Sequence, residues 1–533
     1  MKTQRTDTEI MQNRKTRSDK IFFGCICIMI AAFVLYRIIH CYWDNDFYHI
    51  ATSGRWIAEH GIMRENPFFV EEGYKTVIQQ WLYAVLLYAS YRCGGFYGVL
   101  LFTILQAVLF GVSGYHYLKT REIDRRFSVI GAILMVLSVT EPNCRPEIIS
   151  LLLFTVQLIV LEDYFRKRKK GILYVLPFLV LLEINLHAAY AIFHFILLLP
   201  YLVPVHRLPM CRELCEWCGI RRDKPGYRDF ILPVLLMVVA LLINPYGTQA
   251  VLILLHSGNI RLLGISEIQQ TTLLSPGAVL LFFEILFAAV AVCRRKLREA
   301  TALLGIGCTL MGLIAIKNLL FMSPVLLVLA GDCLERIDGS AFWDFLAKGK
   351  QTYAFAALAA VLLLCAGLLS YGTILRVETD GRGFSNGLLP KTKDTEQYPK
   401  AAITYLLTHE AHPEDLRVMT TFNNGSAFLW NGIGHVYLEP KTEPYLRAVN
   451  GKRDVVTEYV QILSCADSEQ IAHFLDKYDF DYIVCSAYMQ GLQVYLEQTE
   501  GYECVLVSET MIDTYEEETG YSQPAYRLYR KKE

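Results

Sequence analysis

The sequence has 533 residues, a formal net charge of -1 and a mean hydropathy of +0.31. Apolar residues make up 53% of it and charged residues only 19%, whereas about a quarter of a typical soluble protein is charged. The balanced charge argues against a nucleic-acid partner, because nucleic-acid-binding domains carry a basic excess. The apolar excess is confined to residues 21–376, and residues 377–533 have the composition of a soluble protein. We therefore expect an α-helical polytopic membrane protein with a C-terminal α/β domain.

In chain order, a basic N-terminal segment at 1–20 precedes the first apolar run at 21–40. A run of this length crosses a bilayer core of about 30 Å, and no small-residue cleavage site follows it. It therefore predicts a first transmembrane helix with residues 1–20 in the cytoplasm. Further apolar runs predict the other spans of a protein with about eleven transmembrane helices. These runs lie near 96–118, 127–141, 147–165, 171–184, 188–205, 229–243, 277–293, 299–316, 319–332 and 353–375.

One more apolar stretch, residues 77–92, is short and begins with two glutamines. The positive-inside rule decides whether it crosses. Four connectors between spans are basic: 121–126, 165–170, 206–228 and 293–299. All four share the cytoplasmic side with the N-terminus only if 77–92 does not cross. We therefore predict that 77–92 is an interfacial or re-entrant helix.

Under this topology, residues 41–95 form an outer loop and everything after 376 is extracytoplasmic. Apolar residues recur at helical spacing over 47–60, which predicts an amphipathic helix on the membrane surface. The C-terminal part alternates strand-like and helical runs, which predicts one mixed sheet with covering helices. The expected strands are 417–422, 435–439, 481–486, 502–508 and 526–530, and the expected helices include 399–409, 453–464 and 468–477.

Two carboxylates, Asp44 and Asp46, follow the first span directly. Such a pair at the outer interface could act as a general base, or could hold a divalent cation beside a phosphate. The alternative is structural, with Asp46 capping the 47–60 helix and Asp44 simply solvated.

Six further polar residues are candidates for substrate binding: His49, Arg145, Glu147, His187, Glu267 and Lys317. The donors of an arginine such as Arg145 match phosphate oxygens, but an arginine at a lipid boundary also extends to headgroups. His187 equally fits a hydrogen bond between helices, and Glu267 and Lys317 taken singly are typical of solvated or capping residues. Under the topology predicted above, all six residues lie on the outer side of the membrane, which favours a common site.

Several motifs together resemble a known family. The segment WDNDFYHIATSGRWIAEHGIMRENPF (43–68) and the following QQWL (79–82) resemble a pattern of bacterial membrane proteins in the GT-C glycosyltransferase superfamily, including protein mannosyltransferase-like members. Later loop motifs are similar in the same order: CRPEIISLLLF, INLHAAY, INPYG and KNLLFMSP. In the tail, YPKAAITYL, FNNGSAFLW and EPKTEPY are similar to a soluble domain that some members append.

The resemblance implies a transferase that takes a sugar from a polyprenyl-phosphate-linked donor at the outer membrane face. An acid after the first span is the usual catalytic residue of the superfamily, which points to Asp44 or Asp46. By the same analogy, Arg145 or Lys317 would neutralise the lipid phosphate. Two departures stand out: Lys317 replaces a common arginine before asparagine, and Glu183 replaces the tryptophan of a Trp-x-Asn-x-His motif that ends at His187.

Two functions remain open at this point. The first is an inverting glycosyltransferase of the plasma membrane, acting on a glycan, protein or lipid acceptor. The second is a transporter or scaffold of the same fold that binds a polyprenyl lipid without chemistry. Ionisable groups gathered at one surface favour the enzyme, because transporters usually place such groups at mid-membrane depth.

Overall fold

The computed structural model describes most of the chain, and several predictions fall outside the described residues. Those are the segment 1–20, the span 353–375 and the candidate Glu267. The described residues are 23–24, 27–28, 30–39, 44–139, 143–222, 225–253, 269–272, 275, 277–337, 394–513 and 522–532.

The first part of the chain is helical, and the helices follow the predicted apolar runs. They are α1 (Ile30–Ile39), α2 (Asp46–His60), α3 (Trp81–Thr120), α4 (Arg125–Ser138), α5 (Glu147–Lys167), α6 (Val175–Leu186), α7 (Phe193–Ile196), α8 (Leu199–Leu202), α9 (Pro209–Cys218), α10 (Tyr227–Leu241), α11 (Gln249–Leu252), α12 (Val279–Cys293), α13 (Glu299–Ile314) and α14 (Met322–Leu334). Among the described residues, three stretches are long and apolar enough to cross a membrane by themselves: Trp81–Thr120, Glu147–Lys167 and Ile316–Leu334. The total of eleven spans stays a prediction.

Helix α3 is a hairpin of two arms and not one straight rod. Gly94 and Gly95 have non-helical backbone angles, with φ +58° and ψ -143° at Gly95. Gln106 donates a hydrogen bond of 3.4 Å to the Tyr83 hydroxyl, although these residues would be about 35 Å apart along a straight helix. The first arm, 81–93, therefore folds back against the second. At about 20 Å it is shorter than the bilayer core.

The C-terminal region forms the mixed sheet that the sequence predicts. Its strands are β1 (Arg417–Met419), β2 (His435–Val436), β3 (Tyr482–Ser486), β4 (Tyr502–Val507), β5 (Met511–Asp513), β6 (Ser522–Pro524) and β7 (Tyr526–Lys531), in the order β2-β1-β3-β7-β4. Strand β1 is parallel to β2 and β3, whereas β7 is antiparallel to β3 and β4. Every residue of β3 is buried, as expected for a strand covered on both faces. The small β5–β6 sheet is an addition that the pattern did not predict.

The sheet is accompanied by six helices of the C-terminal region. They are α15 (Lys400–His409), α16 (Gly425–Trp430), α17 (Arg447–Asn450), α18 (Val455–Leu463), α19 (Ser468–Tyr478) and α20 (Gln490–Gln498). The three helices predicted near 399–409, 453–464 and 468–477 correspond to α15, α18 and α19.

Helix α2 packs between α3 and the C-terminal region. A side chain on Gly54 would lie 2.0 Å from the Ala84 carbonyl oxygen, so only glycine permits this approach of α2 to α3. On another side of α2, Arg55 donates to the carbonyls of Leu429 and Trp430 at the end of α16. The predicted helix is present, but C-terminal residues cover a side that the prediction left to solvent.

A buried cluster of four charged residues joins α3, α5, α13 and α14, and we call it the Arg121 cluster. Arg121 contacts Glu162 at 3.3 Å and Asp332 at 2.7 Å. Arg298 contacts the same two carboxylates at 2.8 and 3.0 Å. All four side chains are at most 10% exposed. Two arginines counted as basic loop residues in the topology argument are therefore buried and neutralised by carboxylates within the fold.

Candidate functional site

The carboxylates of Asp44 and Asp46 stand where α2 begins. Asp46 is the first residue of the helix, and its amide donates to Asp44 Oδ1 at 3.1 Å. The acceptor at the helix start is thus Asp44, while the Asp46 carboxylate turns to Arg145, 2.8 Å away. This arrangement does not match the structural alternative in which Asp46 caps the helix.

The loop before α5 brings Arg145 and Asn143 to this pair. Arg145 Nε lies 2.6 Å from Asp44 Oδ2 and 2.8 Å from Asp46 Oδ2. Asn143 Nδ2 donates to Asp44 Oδ2 at 3.0 Å. Pro146 then stands at the N-cap position and fixes the point where α5 starts. We call Asp44, Asp46 and Arg145 the Asp44 cluster; its side chains are 19–28% exposed.

The two carboxylates have different proton affinities because their other charged neighbours differ. Burial raises the pKa of Asp44 to about 7 against the opposing charge of Arg145, and the nearby Asp46 and Glu147 carboxylates add to the rise. Burial also raises the pKa of Asp46. The charges of Arg145, His49 and Lys317 outweigh this effect and lower its pKa below the usual value. One carboxylate of the pair is therefore poised to exchange a proton near neutral pH.

Lys317 reaches the same region from the turn between α13 and α14. It lies in the short 3-10 helix Ile316–Phe321 and acts electrostatically on both Asp46 and His187. No described carboxylate lies within ion-pair distance of its ammonium group, and its side chain is partly exposed. Its charge is therefore available to an anion beside the Asp44 cluster.

His187 belongs to a buried hydrogen-bond network more than to the cluster itself. Its Nδ1 is 2.8 Å from Ser150 Oγ, which also donates to Glu183 at 2.5 Å. The Glu183 carboxylate in turn lies 3.4 Å from His194 Nε2. These contacts match the sequence alternative of hydrogen bonds between helices, and they place His187 near Lys317.

His49, one turn into α2, connects the cluster to the C-terminal region. Its Nδ1 is 3.7 Å from Asp46 Oδ1 and has no hydrogen-bond partner. It lines a small cavity together with Gln79, Lys441 and Glu443. The two C-terminal residues were not predicted as site residues, although they lie in the EPKTEPY motif.

A divalent cation, which the sequence left open as an alternative role for the carboxylate pair, does not fit this arrangement. The Arg145 guanidinium lies between the two carboxylates, in the place where a cation bridging them would sit. In the described part of the chain, three potential ligand side chains lie within 4.8 Å of one another only at the exposed group His412, Glu414 and Asp415.

Comparisons with solved structures show that the chain has a known fold. The apo oligosaccharyltransferase of Archaeoglobus fulgidus is similar over 89% of this chain and 71% of its own, with a TM-score of 0.61 and 12% identity. The same enzyme, AglB, in complex with an inhibitory peptide and a dolichol-phosphate gives 0.57 over 95% and 74%, at 12% identity. ArnT from Cupriavidus metallidurans bound to undecaprenyl phosphate gives 0.52 over 96% and 97%, at 13% identity. No protein-family model matches the sequence, and no curated protein matches it either.

The chain has the GT-C glycosyltransferase fold. The solved structures with this fold are membrane proteins, and three described stretches of this chain are long and apolar enough to cross a membrane. Within the GT-C fold, the described structure brings together Asp44, Asp46, Arg145 and His49. Lys317 and Glu147 act electrostatically on the pair.

Proposed function

We propose that the protein transfers a sugar from a polyprenyl-phosphate-linked donor to an acceptor hydroxyl, with the Asp44–Asp46 pair as general base. The observation that carries the proposal is the pair itself: two partly exposed carboxylates share one guanidinium beside a lysine that has no anionic partner among the described residues. The two neighbours complexed with dolichol-phosphate and undecaprenyl phosphate support the class of donor.

The reaction needs a base and a cation. The acceptor oxygen attacks the anomeric carbon of the donor sugar while a carboxylate of the pair takes the hydroxyl proton. The bond from that carbon to the phosphate oxygen breaks, and its electron pair leaves with the polyprenyl phosphate. The leaving group is already a stable anion, so it needs charge stabilisation and not a proton. A single displacement of this kind inverts the anomeric configuration.

Arg145 and Lys317 then have different roles. Arg145 Nε contacts both carboxylates, so we assign it to positioning the pair. Lys317 acts on Asp46 from the α13–α14 turn, and we assign it to the donor phosphate. A lysine serves this purpose as a point charge, whereas an arginine would offer a two-pronged fork.

The proposal includes an orientation and a division of the chain. Residues 21–376 form the membrane domain and 377–533 an extracytoplasmic domain, with the Asp44 cluster at the outer face of the plasma membrane. The short first arm of α3 supports a stretch 77–92 that does not cross, and so does the C-terminal region packed on α2.

The test is turnover of lipid-linked donors by the purified protein, scored as released polyprenyl phosphate. Asp44→Asn or Asp46→Asn should lower the transfer rate by about 10²–10⁴-fold, which is the usual effect of losing a general base. Asp163→Asn is the matched control, because Asp163 pairs with Lys167 near the far end of α5. Near-normal activity in both site variants would refute the assignment of the base. Donor binding without phosphate release by the wild-type protein would favour the lipid-binding scaffold.

A further inference from the structure

A small cavity lies on the side of Asp46 where α2 meets the C-terminal region. His49 contributes one wall, Gln79 and Gln80 of the outer loop a second, and Lys441 and Glu443 a third. It is narrow, with room for a group about the size of one water molecule. Two parts of the chain separated by almost 400 residues therefore build one cavity next to the proposed base.

The loop that carries Lys441 and Glu443 is held firmly in place. It follows β2, where Leu438 exchanges two hydrogen bonds with the Thr420 side chain. The Lys441 ammonium group lies 5.2 Å from the centre of the Phe68 ring, on the outer loop. Lys441 is only 4% exposed and Glu443 only 8%. Proteins rarely bury ionisable side chains as completely as this unless the side chains are paired or bind a ligand.

The polar groups around the cavity are incompletely paired. Lys441 Nζ bonds one oxygen of Glu439 at 3.0 Å, and the other oxygen of Glu439 has no partner. His49 is 8% exposed, and its Nδ1 also lacks a partner because 3.7 Å from Asp46 is too long for a hydrogen bond. An unpaired buried polar atom costs about 1–3 kcal/mol. A ligand in the cavity that bonds to His49 Nδ1 would recover that cost.

The charges around the cavity define what it can bind. Burial lowers the pKa of His49, and burial raises the pKa of Glu443. The Lys441 ammonium group is offset by Glu439, and no positive charge is left over for a phosphate. A hydroxyl group both donates and accepts, so it suits an imidazole nitrogen beside carboxylates and an ammonium group.

We infer that this cavity receives a hydroxyl group of the acceptor and that Lys441 and Glu443 select an uncharged carbohydrate. The inference rests on the proposed function, because it places an acceptor hydroxyl beside the proposed base. In this arrangement His49 and the C-terminal loop hold one hydroxyl of the acceptor next to the reacting hydroxyl. The C-terminal region thereby completes the acceptor subsite.

The experiment measures binding, so its result does not depend on transfer. Saturation-transfer NMR is recorded on the full chain in lipid nanodiscs, which avoids sugar-based detergents. The probes are neutral methyl glycosides, a methyl glycoside of glucosamine as the cationic probe and glucose 1-phosphate as the anionic one. We expect a signal from at least one neutral glycoside and a dissociation constant at least tenfold higher in Glu443→Gln.

A double variant and a control complete the design. Glu439→Gln with Lys441→Met removes both members of the buried pair, so neither charge is left uncompensated, and binding should again weaken at least tenfold. Lys452→Met removes an exposed lysine of the same region that bonds the Glu72 carbonyl, and it should bind like the wild type. No binding of any neutral glycoside, preference for a charged probe, or unchanged binding in both cavity variants overturns the inference. Glycoside binding that depends on Glu443 in a protein without transfer activity would uphold the subsite and reject the proposed function.

Discussion

Two groups of buried charge lie towards opposite ends of α5 and differ in how completely they are paired. In the Arg121 cluster, each of two carboxylates contacts each of two guanidinium groups, and the charges cancel. In the Asp44 cluster, two carboxylates share one guanidinium and keep 22–28% of their side-chain surface exposed. Glu147, at the start of α5, adds a further negative charge near the second cluster.

This difference in pairing indicates different roles: the Arg121 cluster stabilises the fold, and the Asp44 cluster can exchange a proton. Charges far from water are tolerated when every one is paired, and breaking such a set is costly. The Arg121 cluster meets that condition and holds four helices together. The Asp44 cluster has an unmatched negative charge, which can be satisfied by a proton or a cation. That imbalance is what a proton acceptor requires.

The largest effect on stability should come from Asp332→Ala, because it removes a carboxylate that contacts both Arg121 and Arg298 and leaves Arg298 with Glu162 alone. Removing one member of a buried ion cluster costs about 3–5 kcal/mol, so we expect a clearly lower thermal unfolding temperature in nanodiscs. Asp44→Asn is the comparison variant, and at its partly exposed position it should change stability by less than about 1 kcal/mol. The reverse ranking of the two variants would contradict the division into a structural and a chemical cluster.

A smaller effect, on substrate binding, is expected from Lys317→Met. A hydrogen bond to a charged group contributes about 1.5–3 kcal/mol, so the KM for the lipid-linked donor should rise about 10- to 100-fold while the KM for the acceptor changes little. Lys317→Arg should restore most of the affinity. Lys167→Met, at the other end of α5, serves as the control. An unchanged donor KM would remove Lys317 from the phosphate site.

The smallest effect is a dependence of kcat/KM on pH, which we expect from the titration of Asp44. A base must be deprotonated to act, and the pKa of Asp44 is raised to about 7. Below that pH the active fraction falls, so kcat/KM should drop about tenfold per pH unit. The Asp163→Asn control should keep the same profile. In Asp46→Asn, the loss of the neighbouring negative charge should move the acidic limb to lower pH, and an unmoved limb would show that a different group titrates.

The elements of the fold could be predicted where a local pattern specifies them. Strand-like runs located β1, β2, β3, β4 and β7, and apolar runs located the helices. The break in α3 at Gly94 and Gly95 separates the predicted stretch 77–92 from the predicted run 96–118. The packing of the two arms against each other could not be predicted, because a local apolar pattern does not specify contacts between them. Only the contact of Tyr83 with Gln106, across the turn, reveals it.

The candidate site shows the same limit. Asp44, Asp46 and Arg145 were expected on one face because each stands at the end of an apolar run. Their direct contact was not predicted. Lys441 and Glu443 could not be assigned to the site, because contacts between distant residues leave no local pattern; Lys441 approaches Met63, 378 positions away.

The Arg121 cluster had a signal that the pattern analysis did not use. Glu162 and Asp332 are acidic residues within apolar runs, and each lies towards the C-terminal end of its run. An acid in such a place is costly in lipid unless it has a partner. It could therefore have pointed to Arg121 and Arg298 as buried counter-charges.

The sheet of the C-terminal region is bordered by a segment from the other half of the chain. The Phe68 carbonyl accepts from the Val436 amide at 2.8 Å, and the Val70 amide donates to the Val436 carbonyl at 3.3 Å. Residues 68–70 thus cover the open edge of β2, beside the isolated bridge between Phe69 and Val436. A fragment cut at the start of the C-terminal region would lose this cover and expose unpaired backbone groups that invite self-association. Any attempt to produce the C-terminal region alone should therefore supply the 62–78 segment as a fused or added peptide.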